Sequence, residues 1–243
     1  MKKAVLLTSC MLLSSLSLAA DIGGIRLGDE LAAAQARIAE LLPEATATPV
    51  KVRFTIPLGE HGVRSTGEFE TWVYTHRVSS ARTVSWAISV SPDTGKVWMI
   101  SHGNHGHAEG RIPLAQFSES LAKFGNVSDS IQRLNAGTHS LYSQTWAKNA
   151  RGGDLLPPND QCAKHFDKMN LAGMAGRFYV PTDINPRCVA AYGTSAGGSE
   201  GTVLSYDVWA SDPIAFQQWY DRLALEKKAE LEAEAARAAK PAF

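Results

Sequence analysis

Leu31, Ala34, Ile38, Leu41 and Leu42 recur at intervals that keep them on one side of a helix, just after the glycine-rich entry "DIGGIRLGDE". This spacing predicts an amphipathic helix with Asp29 as its N-cap and Pro43 as its stop. Four extended segments follow: "VKVRFTIPL", "GEFETWVYTHRV", "RTVSWAISVS" and "GKVWMISHG". In the third, Val84, Trp86, Ile88 and Val90 alternate with Ser85, Ala87 and Ser89, the period of a strand buried on one side. The stretch "SPDTG" at 91–95 is turn chemistry, so residues 83–102 are predicted to form a β-hairpin. The order then begins again. Pro113 opens a second helix with Leu114, Phe117, Leu121 and Phe124 along one face and Gly125 at its end. The strand-like segments "HSLYSQTWAKN", "RCVAAYG" and "GTVLSYDVWAS" come after it.

This pattern predicts an α+β fold of two tandem helix-plus-antiparallel-sheet modules, residues 21–106 and 107–212, joined around residues 103–112. The tail, 213–243, reads as one helix. Ile214, Phe216, Trp219, Tyr220 and Leu223 are available to dock its first turns. Beyond Leu225 its apolar content is nearly all alanine, and Glu226, Glu230, Glu232 and Glu234 are balanced by Lys227, Lys228, Arg237 and Lys240. That half is expected to be a solvated, charged helix.

The first 20 residues belong to a different class. Lys2 and Lys3 precede a mostly apolar stretch that ends at Ala19 and Ala20, the signature of a secretory signal peptide. The apolar run is interrupted by Ser and Thr and is too short for a membrane span, so no integral span is expected after processing. A competing reading takes "LTSC" as a lipobox with Cys10 as the lipid-bearing residue. Export changes the meaning of the other two cysteines. Cys162 and Cys188 are read as one disulfide closing a loop of about 27 residues, worth roughly 3–4 kcal/mol in chain entropy. A thiolate site at Cys162, His165 and Asp167 is the alternative.

Charge narrows the partners. The chain has 24 basic and 24 acidic residues, and removing Lys2 and Lys3 leaves 22 against 24, a net charge of about −2. No basic field invites nucleic acid.

The segments "GIRLGDELAAAQARIAELLP", "VSWAISVSPDTGKVWMISH", "LAQFSESLAKFG", "QTWAKN" and "VLSYDVWASD" resemble exported bacterial proteins of unassigned function. Their helix-plus-sheet modules are similar to those of the β-lactamase inhibitor protein and the small outer-membrane assembly lipoproteins. The resemblance covers most of residues 22–212. It implies an α+β fold whose sheet binds protein partners, and it carries over no catalytic residue.

Three patterns carry residue types used in catalysis. "GTSAG" at 193–197 matches G-x-S-x-G with Ser195 as nucleophile, but no histidine follows it, and the stretch is expected to be a glycine-rich hairpin loop. Glu68 and Glu70 share one strand face and cannot flank a scissile bond. No P-loop, dinucleotide fingerprint or HExxH occurs. In "SHGNHGHAEG", His102, His105 and His107, with Glu109, could hold zinc or copper. In an extended strand, however, His102 lies on the face opposite His105 and His107. The plainer reading is a glycine-rich link with exposed histidines.

The expectation is a periplasmic or secreted, non-catalytic protein that binds another protein or an envelope component, with Trp72, Tyr74, Trp98 and Trp146 as contact aromatics and no cofactor. The alternative is a zinc or copper protein built on His102, His105 and His107.

Overall fold

A computed structural model of the chain describes residues 21–58, 63–106, 111–135, 140–155, 184–199 and 201–238. The predicted signal peptide, Cys10, His107, Glu109, Cys162, His165 and Asp167 lie outside the described residues, as does the Cys162 half of the expected disulfide.

Helix α1 (Leu31–Leu41) is followed by four strands, β1 (Thr46–Pro57), β2 (Arg64–Ser79), β3 (Arg82–Val90) and β4 (Val97–Gly106). The short β5 (Ile112–Pro113) leads into α2 (Leu114–Leu121) and a 3-10 helix at Asp129–Asn135. Then come β6 (Ser140–Lys148), β7 (Ala190–Ser199), β8 (Thr202–Ser211) and the long α3 (Pro213–Ala238).

The two predicted modules are corrected by the sheet. Among the described residues, eight strands form one antiparallel sheet in the order β1-β2-β3-β4-β8-β7-β6, with β5 paired to β8. The join is the ladder between β4 and β8, which runs from Met99 opposite Ser211 to His105 opposite Ser205. The physical reason lies in the run "VWMI" of β4, where Val97, Trp98, Met99 and Ile100 are all buried. A strand apolar at successive positions needs cover on both faces and neighbours on both edges, which one four-stranded module does not supply.

Each face carries its own core. On one, Ala34 and Ile38 of α1, Phe117 and Leu121 of α2, and Ile131 and Leu134 of the 3-10 helix pack over Trp86, Ile88, Ile100, Tyr192 and Val208. On the other, Phe216 and Trp219 of α3 pack over Phe54, Phe69, Trp98, Met99 and Trp209. This second layer explains why Ala87 and Ser89, expected on a solvent face, are buried; Ser85, also expected there, is buried beside Gly103, His105 and Asp207. Asp212 caps α3 by accepting a hydrogen bond from the Ala215 amide at 2.9 Å, and Pro213 follows at the first helical position. By contrast Asp29 does not cap α1. The N-cap is Glu30, and the Asp29 carboxylate instead accepts a bond from the Arg26 amide at 2.8 Å.

Candidate functional site on the two faces of strand β4

The histidine cluster begins inside the sheet, and this corrects the expected flexible link: β4 continues through Gly106. Alternation along the strand sends His102 and His105 to opposite faces.

On the α2 side, His102 stacks on its cross-strand partner Trp86 with ring centroids 4.4 Å apart. Its Nδ1 lies 3.2 Å from the Ser85 carbonyl oxygen and its Nε2 lies 3.2 Å from Tyr206 Oη. A carbonyl only accepts, so Nδ1 carries the proton and Nε2 accepts from the Tyr206 hydroxyl. Asn104 in turn hydrogen-bonds Tyr206, and its Oδ1 accepts from Arg82 Nε at 3.1 Å. The result is a one-directional chain, Arg82 to Asn104 to Tyr206 to His102 to the Ser85 carbonyl. Burial holds the imidazole of His102 below its ordinary pKa and pushes the phenol of Tyr206 up, so both are neutral.

On the opposite face, His105 Nε2 lies 3.1 Å from Asp207 Oδ1. The hydrogen bond to Asp207 raises the His105 pKa against the opposing effect of partial burial. This pair leans over Gly103. A Cβ there would sit 2.6 Å from Asp207 Oδ1, 2.8 Å from His105 Nε2 and 2.9 Å from Ser85 Oγ. The glycine is thus required by close approach rather than by chain flexibility. Ser85, beside this pair, is buried and is not presented to a substrate as a nucleophile.

Around this pair the sheet surface is open. Ser195 lies opposite Asp207 on one side and Ser143 on the other, and Ser195 and Ser143 are exposed. Thr83, opposite His105, is half-buried, and Thr75, opposite Ser85, is exposed. The apolar layer of α3 covers the other part of the same face. Ser195 therefore stands in the middle of strand β7, not in the expected hairpin loop and not on a strand-to-helix elbow. The glycines of this stretch make room instead: a Cβ on Gly193 would run into the indole of Trp209.

The remaining predicted residues are placed as follows. Tyr74, Trp98 and Trp146 are buried, and Trp72 is half-buried against the first core. Glu68 is exposed and bound by Lys51 Nζ at 2.6 Å and Arg53 Nε at 3.4 Å, and the Lys51 ammonium holds its carboxyl below the ordinary range. Among the described residues, no three His, Cys, Asp or Glu side chains converge to hold a metal.

No family model, curated protein or solved structure matches the chain.

Tyr206, Asp207, Asn104 and Arg82 were not singled out from the sequence. The one available signal was "SYDV", where adjacent polar residues in a strand must serve two different faces. Their partners depend on the β4–β8 pairing, which the sequence pattern does not specify.

Proposed function

We propose that this chain is an exported, non-catalytic binding protein that holds another protein on the open part of its sheet around His105, Asp207, Ser195 and Ser143. The observation that carries this reading is the exposure of Ser195, Ser143 and His105 on neighbouring strands of one large sheet, backed on its other face by the packed layer of α1, α2 and the 3-10 helix. Short side chains on a rigid floor lose little conformational freedom on binding, so such a surface is organised before the partner arrives. The hydroxyls and the His105–Asp207 pair offer donors and acceptors suited to a polar loop or strand of a partner. The metal-binding alternative has less support, because His102 is committed to Tyr206 on one face and His105 to Asp207 on the other.

Site-specific photocrosslinking in the exporting cell tests the reading. A photoreactive amino acid at position 195 or 143 should give a discrete covalent adduct that is lost with Asp207→Arg, whereas one at Glu70, exposed on the other side of the sheet, should give none. Absence of adducts from 195 and 143, or the same adducts from all three positions, counts against the open face.

A further inference from the structure

The other face of β4 holds a pocket that the proposed protein-binding surface does not use. It lies between α2 and the sheet, with His102, Tyr206 and Val208 as floor and Phe117, Leu121 and Phe124 as apolar walls, and it encloses about 240 Å³. Protein interiors rarely leave voids larger than a water molecule, and the walls here are firm, since Phe117, Leu121 and Phe124 are at most 2% exposed. One end is closed by the Ile22–Gly23 segment. Gly23 has φ +63°, and a Cβ on it would come 2.5 Å from the Trp86 ring that stacks on His102.

Size and chemistry limit the occupant. An apolar cavity of about 150 Å³ takes a benzene molecule, so this pocket takes one ring with a short side arm and is too small for a drug-sized ligand. The polar atoms of its floor satisfy one another through the Tyr206–His102 bond, so an apolar body can lie on them without stranding a donor. Lys123 lines its mouth, donating to the Asp21 carbonyl at 2.9 Å and standing 3.8 Å from the Asp21 carboxylate; both side chains are exposed, so the pair is weak and an incoming carboxylate competes for the ammonium, and no carboxylate stands among the lining residues.

We propose that this pocket binds a small amphiphile, with an apolar body of single-ring size against Phe117, Phe124 and Val208 and a carboxylate at the mouth beside Lys123. Phenylacetate is the probe and 2-phenylethanol its uncharged counterpart, each titrated into the full chain and followed by amide chemical shifts. Phenylacetate should bind saturably in the millimolar range, with shifts centred on Phe117, Leu121, Tyr206 and Val208. Lys123→Met should weaken phenylacetate by about tenfold and leave 2-phenylethanol unchanged, the size expected for one charge-assisted hydrogen bond. Ser120 lies at the mouth, and its hydroxyl only donates back to the Phe117 carbonyl. Ser120→Trp should therefore cover the pocket and abolish binding of both probes at an unchanged melting temperature. No saturable binding of either probe, shifts centred elsewhere, or undiminished binding by Ser120→Trp overturns the pocket. Equal effects of Lys123→Met on both probes overturn the carboxylate.

Discussion

His105 and Asp207 meet at 3.1 Å by reaching diagonally across the backbone of Gly103, on the face of the sheet opposite to His102. The pair exists only because residue 103 has no side chain. Gly103→Ala should cost about 1–3 kcal/mol, the range for forcing a methyl group into an occupied site. The same substitution should return the His105 pKa toward its ordinary value of about 6.5 as the imidazole is pushed off the carboxylate. Thermal unfolding reads the first effect and the His105 ring proton titration reads the second. An alanine variant with wild-type stability and an unshifted His105 removes the close-approach argument.

The two histidines have opposite linkage to pH. Folding raises the pKa of His105, so its contribution is fully present below the unfolded value of about 6.5 and is lost as pH rises through the folded value. Folding lowers the pKa of His102, so its contribution is present above about 6.5 and is lost as pH falls toward the folded value. Ring titrations should place His105 above and His102 below the ordinary imidazole value of about 6.5. Chemical denaturation between roughly pH 7.5 and 5 should show His105→Gln losing more stability on acidification than the parent chain, because the compensating group is gone. Coincident titration midpoints for the two rings contradict this account.

The sequence made the elements readable but not their partnership. Hydrophobic spacing places α1, α2 and the β3–β4 hairpin, because each buries a face of its own and writes that face into a local period. It could not show that β4 pairs with β8 about a hundred residues later, since such pairing depends on register and leaves no local mark. The same gap explains the site. In "SHGNHGH" the glycines read as flexibility until Asp207 is seen lying over Gly103, and His102 reads as a ligand until Tyr206 and Trp86 are seen around it. Trp98 and Trp146 read as contact residues because aromatic anchors dominate binding energies, and nothing local in the sequence shows which face covers them. The layer formed by α3 removes Trp98 from solvent, and the packing of Trp146 against Phe124, with its Nε1 donating to the Asn126 carbonyl at 3.0 Å, places it in the other core.

The two halves of α3 should differ in energetic weight. Phe216 is fully buried, with its ring centroid 5.3 Å from that of Trp98 and 5.7 Å from that of Trp219. Phe216→Ala should cost about 3–5 kcal/mol and loosen the helix from the sheet. Leu225 is 67% exposed, and nearly every residue from there to Ala238 is exposed. Ending the chain after Leu225 should change stability by no more than about 1 kcal/mol, as expected for surface residues away from any buried feature. Denaturant titrations of both variants decide this, and a large loss on truncation would show that the outer turns are held by contacts the fold does not explain.

Tyr206 is the link through which the hydrogen-bond chain on the α2 face either holds or fails. Its hydroxyl donates to His102 Nε2 while receiving from Asn104, so Tyr206→Phe removes one group and strands two. A buried acceptor and a buried donor left without partners should cost about 1–3 kcal/mol, more than the loss of one neutral hydrogen bond. The ring itself also packs against Phe117, with centroids 5.4 Å apart, and phenylalanine keeps that contact. The loss therefore belongs to the hydroxyl. Adding His102→Phe to Tyr206→Phe removes the stranded acceptor as well, so the double variant should lose less than the sum of the two single variants. Additive losses in that cycle would mean that the two side chains are neighbours without being coupled.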